Sequence, residues 1–394
     1  MPGPAGSLDF EVVTSRQDLA RLEPEWNALW ARTLGSSSPF LSFNWLWHWC
    51  QHYLDAPSSR LAIVTGRRNG RLILVWPLCI EHQFRLRTAS FAGAPVSQYG
   101  DILIDQDQPG HGGWVAEAWL HIHTRLALDI IHLRKVRADS PIAAVLRRAG
   151  SKETNQQSAP FVALAGEACF EDFETRYNAK DRKNRRRKRK RLGELGRLGF
   201  RRAETAHEIE SAFGQAMCWK RNWLKDEALV SAALADSQFD RFFKSVLTSA
   251  DRPAGGELFE LTLDERPVAI MVAVTAGHCR AMHLTAYDRA LEKCGPGGVL
   301  IEEMIATSLA GGITTLDFLA PAHDYKKEWA SGEVLVSDFS LAISPAGRFY
   351  DEIYLQRLRP RLQRLLTEGP TPVRRGAAVL SRIIGQRMAR TPTI

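Results

Sequence analysis

Along the chain, apolar residues recur with a period of two in some stretches and near 3.6 in others, and these changes of period predict the elements. Phe10 to Thr14 suits a strand, and Gln17 to Arg32 reads as a helix carrying Leu19, Leu22, Trp26 and Leu29 on one side. Residues 39–53, PFLSFNWLWHWCQHY, are dense in aromatics, and Trp45 with Trp49 at i,i+4 marks a buried helical stripe. Residues 61–80 alternate as a hairpin closed by Asn69-Gly70, a dipeptide suited to a tight two-residue turn. Phe91 to Asp105 is a Gly/Pro-interrupted loop feeding a strand, 114–124 and 141–149 read as surface helices, and SKETNQQSAP (151–160) reads as a linker. Two amphipathic helices follow at 207–224, bearing Phe213, Met217, Trp219 and Trp223, and at 237–250. A second hairpin pattern at 257–276 repeats the first at a domain-sized interval, which predicts a duplication. The fold expected is α/β, with α+β mixed sheets, as two similar domains in tandem: 8–155 and 156–345, then a helical, basic tail at 346–394.

The stretch from Ala281 to Trp329 concentrates the candidate chemistry. A strand through Tyr287, a GPGG breaker, helical spacing from Val299 to Leu309 and a strand at 314–319 make a βαβ unit with parallel strands. Strict alternation puts Met282, Leu284 and Ala286 on one face and His283, Thr285 and Tyr287 on the other. The connecting helix needs an apolar floor, so it should cover Met282, Leu284, Leu316 and Phe318. That leaves His283, Thr285, Tyr287 and Asp317 together as the candidate reaction face. Glycines at the helix start let a ligand approach the backbone, and the N–H groups of Gly297, Gly298 and Val299 favour an anion there. In the loop at 91–105, Tyr99 and Asp101 are placed to face a cleft between the domains.

Charge changes the picture locally. AKDRKNRRRKRKR (179–191) has ten basic residues and one acid, so removing its +9 from the chain's +8 leaves −1. It suits a helix with its acid near the start. Three readings stand: a solvated helix face, a contact for polyanions or a membrane surface, and capture of donor phosphates. Residues 357–390 hold nine Arg and one Glu and extend the cationic surface. The basic run has no base-stacking aromatics, which argues against sequence-specific nucleic-acid readout. Six scattered cysteines show no CxxC or zinc spacing, and His48 with His52 lacks a third ligand, so no metal is expected. Cys294 has no neighbouring base to make it a nucleophile. No apolar run nears the roughly 18–20 residues that span a bilayer. The start of the chain lacks the regions of a secretion signal, so a cytoplasmic protein is expected, peripheral to the membrane if the basic surfaces engage it.

Taken in order, Tyr287-Asp288 at a strand end, Pro296-Gly297 opening a helix, Asp317-Phe318, and Tyr325-Lys326 with Trp329 resemble the C-terminal domain of GNAT-type acyltransferases, within them the CelD-like and FemAB-like branch. PFLSFNWLWHW, LVWPLCI and FAGAPVSQYGDILID resemble that branch as well, so the likeness covers roughly residues 8 to 345. The family's fuller pyrophosphate loop, Arg or Gln ahead of two spaced glycines, is absent. The resemblance implies paired GNAT-type folds and transfer from acetyl-CoA or another acyl-CoA to an amine or hydroxyl of a small-molecule or glycan-related acceptor. The chemistry needs a base and a proton for the leaving thiol. Asp317 is the expected base or amine-orienting carboxylate, His283 the alternative base, and Tyr287 or Tyr325 the proton donor. Gly295, Gly297, Gly298, Val299 and Lys326 are expected on the donor, and Tyr99, Asp101, Thr285 and Trp329 on the acceptor. Two other readings stay open: an aminoacyl-tRNA donor held by the basic helix, and a non-catalytic accessory protein of polysaccharide synthesis. On the first reading, Asp317→Ala abolishes turnover and leaves the fold intact.

Overall fold

The computed structural model describes residues 8–33, 38–54, 59–83, 85–106, 111–227, 229, 231–367, 369 and 372. The alternating stretches form strands and the 3.6-period stretches form helices. β1 (Asp9–Val13) leads through α1 (Arg16–Thr33) and α2 (Phe43–Tyr53) to the hairpin β2 (Ser59–Arg68) and β3 (Arg71–Gln83). Then come β4 (Leu86–Phe91), β5 (Leu103–Ile104), α3 (His111–Arg125), β6 (Ile130–Arg137), α4 (Pro141–Arg148) and β7 (Lys152–Ala163). Past α5 (Phe170–Glu174) and α6 (Ala179–Gly193) a closely similar order returns. It runs β8 (Leu198–Arg202), α7 (Ala206–Asp226), α8 (Ala232–Ala235), α9 (Ser237–Thr248), β9 (Gly256–Leu263) and β10 (Arg266–Ala276). β11 (Cys279–Tyr287), α10 (Pro296–Ala310), β12 (Thr315–Asp317), α11 (Asp324–Lys327) and β13 (Gly332–Ala342) complete it. Both hairpin turns hold their two central residues at positive φ, Asn69 with Gly70 and Asp264 with Glu265. Helical turns continue from Pro345 to Thr367; the arginine-rich tail beyond residue 372 lies outside the described residues.

The strands make one mixed sheet in the order β1-β2-β3-β4-β6-β13-β7-β12-β11-β10-β9-β8, with β5 beside β3. Each half contains one parallel pair, β4 with β6 and β11 with β12. The last strand of each half crosses to the other. β7 pairs with β12, β13 pairs with β6, and β7 and β13 pair antiparallel with each other at the centre. Most of the expected linker at 151–160 is therefore strand, and the division drawn at 155/156 falls inside β7. Its N-terminal half, KETNQQ, is largely exposed, so ladder hydrogen bonds rather than apolar burial hold it, and an apolar repeat could not reveal it.

One apolar core lies under α1, α2, α7 and α9 and is shared by both halves, while α3 with α4 and α10 with α6 cover separate cores. Where α2 meets α9, His48 Nδ1 lies 2.8 Å from Ser245 Oγ and its Nε2 lies 2.8 Å from the Arg252 carbonyl. Among the described residues no group of His, Cys, Asp and Glu is placed to hold a metal. No helix among them is long and apolar enough to cross a membrane.

In the first half, β4 and β6 pair only at Thr88–Ala89 with Ile130–Ile131, and the loop that follows β4 packs against β6 beyond that point. Gly100 N–H donates to the Lys135 carbonyl at 3.1 Å. A Cβ on Gly100 would overlap the Phe91 ring and stand 2.7 Å from the Arg134 carbonyl. Trp45 Nε1 donates to Ser97 Oγ (2.9 Å) and Trp49 Nε1 to the Ala94 carbonyl (2.7 Å). The aromatic segment thus holds this loop as well as the core.

A fragment ending at residue 150 retains β6 without β13 and loses the α7 and α9 share of the common core. Purified alone, it is expected to show no cooperative thermal transition by circular dichroism. A sharp transition in the fragment would mean that the strand exchange is dispensable.

Candidate active site

The expected alternation fails at one residue. Val272 pairs with Leu284 and Ala273 with Met282, so His283 is an extra residue in β11 with no partner in β10. Such a bulge reverses the side-chain faces beyond it. Met282 packs with α10, but Leu284 and Ala286 enter the shared core beneath α7 and α9. Thr285 and Tyr287 consequently turn to the α10 side: Thr285 lies 3.4 Å from Met271 Sδ, and the Tyr287 ring packs against Gly297. His283 stays among Phe40, Trp45, Phe239 and Phe243, its ring centroid 4.7 Å from that of Phe243. The expected grouping of His283, Thr285, Tyr287 and Asp317 on one face does not form.

Asp317 pairs in register with Ala281 and shares its face, opposite Tyr287. Tyr99 Oη donates to both Asp317 oxygens at 2.8 and 2.9 Å, Leu319 N–H donates at 2.8 Å, and Arg137 donates at 3.2 Å. With its lone pairs taken and its side chain buried, Asp317 is a clasp between the halves rather than a free base. Tyr99 is spent on that clasp. Asp101 accepts from Ser140 Oγ (2.6 Å) and Ile102 N–H (2.8 Å), and burial pushes its pKa up to about 6. Trp329 is buried beneath the Arg185 guanidinium, 3.7 Å from its ring centroid, and Tyr177 meets its ring edge-on at 5.9 Å under the same guanidinium. Tyr99, Asp101 and Trp329 therefore face no cleft.

β11 and β12 pair only over Cys279–Ala281 and Thr315–Asp317 and then part. A pocket of about 230 Å³ opens in the gap, with Thr285 and Leu284 on one wall and Phe318, Tyr325 and Lys326 on the other. Gln98 reaches it from the first half and Lys220 from α7. Of the two candidate tyrosines, Tyr325 lines the pocket and Tyr287, whose hydroxyl donates to Glu292, does not. Although Tyr325 is 43% exposed, partial desolvation raises its pKa, which keeps the phenol protonated at neutral pH. Its ring stacks on His323 at 6.2 Å. Burial, then Lys326 and Lys220, lower the His323 pKa, leaving a neutral imidazole at the pocket. Lys326 Nζ donates to the Leu319 and Pro321 carbonyls at 2.9 and 3.0 Å, and burial brings its pKa down to about 8. His283 Nε2, 2.7 Å from the Val96 carbonyl, must carry the proton; burial lowers the ring's pKa to about 4.

The glycine stretch opens α10 as expected. Gly295 caps the helix in the left-handed region (φ +67°), which favours glycine, and Pro296 takes the first helical position. The Lys188 stem lies where a Gly295 side chain would begin, 2.9 Å away, so α6 brings a cation to this corner. Glu302 and Glu303 are both paired with Arg189, and burial raises the Glu302 pKa to about 7. Their charge is thus directed at α6 and not at the loop.

Residues 179–327 match the family model for an acetyltransferase (GNAT) domain. The chain carries a GNAT-type acyltransferase domain. The match begins at α6 and ends with α11, so it takes in the glycine loop, the gap and Tyr325. FemX is similar at 11% identity, with 88% of this chain and 99% of that chain covered and a TM-score of 0.59. A C-terminal DUF2156 domain from Agrobacterium fabrum is similar at 11% identity, 89% and 98% coverage and a TM-score of 0.52. A tandem GNAT protein from the clavulanic acid biosynthesis pathway is 12% identical over 86% of this chain and 99% of that one, with a TM-score of 0.49. At these identities the first two likenesses are of fold. No curated protein matches the chain.

Gln98, Lys220 and His323 were not singled out from the sequence. They sit in a loop, a helix and a strand-to-helix turn far apart in the chain, and only the fold brings them to the gap. Lys220 left one trace, a cation between Trp219 and Trp223 on an otherwise apolar stripe.

Asp317→Asn and Tyr99→Phe are each expected to destabilise the protein by about 1–3 kcal/mol, the cost of leaving a buried partner unsatisfied. In urea unfolding the double variant should lose less than the sum. Additive losses would show that the two side chains act separately.

Proposed function

We propose that the GNAT domain transfers an acyl group from acyl-CoA, acetyl-CoA first among them, to the amine or hydroxyl of a small-molecule or glycan-related acceptor. The observation that carries the reading is the parting of β11 from β12 at a pocket lined by Tyr325 and Thr285, inside the stretch that matches the family. Beyond Ala281 the gap-facing edge of β11 has no strand partner among the described residues, which suits a donor lying along the strand. Nothing stands within 4 Å of where a Gly298 side chain would begin, and Lys188 adds a cation to the loop, so a phosphate-bearing donor fits there.

For an amine acceptor, its nitrogen attacks the thioester carbonyl carbon; the C–N bond forms and the C–S bond breaks. His323 takes the proton from nitrogen, and Tyr325 gives its phenolic proton to the leaving thiolate. Asp317 takes no part, since its lone pairs are committed; His283 also lines the pocket, but its Nε2 is spent on the Val96 carbonyl and its unpartnered Nδ1 is buried, so His323 is the base we assign.

Exposed Lys180, Lys183, Lys190 and Arg191 on α6 have no acidic partner among the described residues, which supports a contact with polyanions and keeps the aminoacyl-tRNA donor as a second reading. Native mass spectrometry with a mixture of acyl-CoA species and tRNA separates the two. Acyl-CoA is expected to bind, and Tyr325→Phe to keep that binding while lowering CoA release with an amine panel by about 10²-fold or more. Binding of tRNA with no acyl-CoA complex would favour the second reading, and no donor bound at all would favour a non-catalytic accessory role.

A further inference from the structure

Building on the acyl-transfer reading, we infer that the pocket selects an acceptor that carries a carboxylate or phosphate beside its nucleophile, held by Lys220 and Gln98. No Asp or Glu lines the pocket among the described residues. Lys326 is satisfied by two carbonyls, but Lys220 has no acid or carbonyl partner among them; its ammonium lies 4.5 Å over the Trp223 ring. Withdrawing an ammonium from water without an acid partner is costly. An arriving anion removes that cost, whereas a neutral acceptor leaves it in place.

Gln98 adds a donor of fixed orientation. Lys135 Nζ donates to its Oε1 at 2.7 Å, so Nε2 must be the other end of the amide. His283 Nε2 lies 3.3 Å from Gln98 Nε2, but it already donates to the Val96 carbonyl and has no lone pair for the amide. Gln98 N–H is therefore available to an oxygen in the pocket. The position of Lys220 separates this anion from the donor's phosphates. Its helix α7 packs on the shared-core face of the sheet, and the glycine loop and α10 lie on the other.

The test uses the full chain, acetyl-CoA and two matched amine pairs, phosphoethanolamine with ethanolamine and β-alanine with propylamine. The anionic member of at least one pair should be acylated with a kcat/KM tenfold or more above its partner, and the pair that responds tells phosphate from carboxylate. Lys220→Gln should erase the preference with acetyl-CoA affinity changed less than twofold, and Lys220→Arg should restore part of it. Equal turnover of paired amines, or a preference that survives Lys220→Gln, overturns the proposal. Should no amine be acylated, lysine labelling mapped by mass spectrometry decides. Slower modification of Lys220 in inorganic phosphate or succinate than in chloride of equal ionic strength sustains the anion seat, and an unchanged rate overturns it. Failure of acetyl-CoA to bind would remove the acyl-transfer reading alone, because the labelling result does not depend on the donor.

Discussion

The antiparallel contact between β7 and β13 is the constraint on which the molecule depends. Each strand completes the half to which it does not belong by chain order, so neither half has its full sheet without the other. Cooperative burial then follows on one face, where α1, α2, α7 and α9 close a single core. The Tyr99–Asp317–Arg137 clasp lies beside this seam and joins the first half's loop and β6 to β12. Loop residues such as Gln98 reach the second half's pocket because the seam holds the two halves in one register.

Within that frame, the His283 bulge and the early end of the β11–β12 ladder organise the site. The bulge turns Thr285 toward the α10 face and Leu284 into the shared core, and the gap joins the two sides of the sheet. One side offers the glycine loop and Lys188; the other offers Lys220 and the first half's loop. On the acyl-transfer reading, this arrangement would let a donor and an acceptor meet from opposite sides without competing for the same groups.

Much of this was legible in the amino-acid order. The two hairpins, the βαβ unit and the tandem arrangement follow from periodicity and turn residues, and Tyr325, Thr285, Lys326 and His283 do stand at the pocket. What was hidden has identifiable physical causes. KETNQQ carries no apolar repeat because solvent covers much of it. A one-residue bulge leaves no mark in composition, yet it reversed the faces of Leu284, Thr285 and Tyr287. Asp317 looked like a base because a carboxylate at a strand end is chemically able; only the distant Tyr99 and Arg137 show its lone pairs to be committed. Lys220 and Gln98 acquire meaning through neighbours more than a hundred residues away.

The loop that packs over the first half's parallel pair also sets a stoichiometry. Duplication alone would suggest two equivalents of donor, but Gly100 and its neighbours fill the corresponding gap between β4 and β6. On the acyl-transfer reading the described residues then offer the donor one berth, and saturation should be reached at one donor per chain. The first half, with its own gap filled, lends that loop as a wall to the pocket of the second.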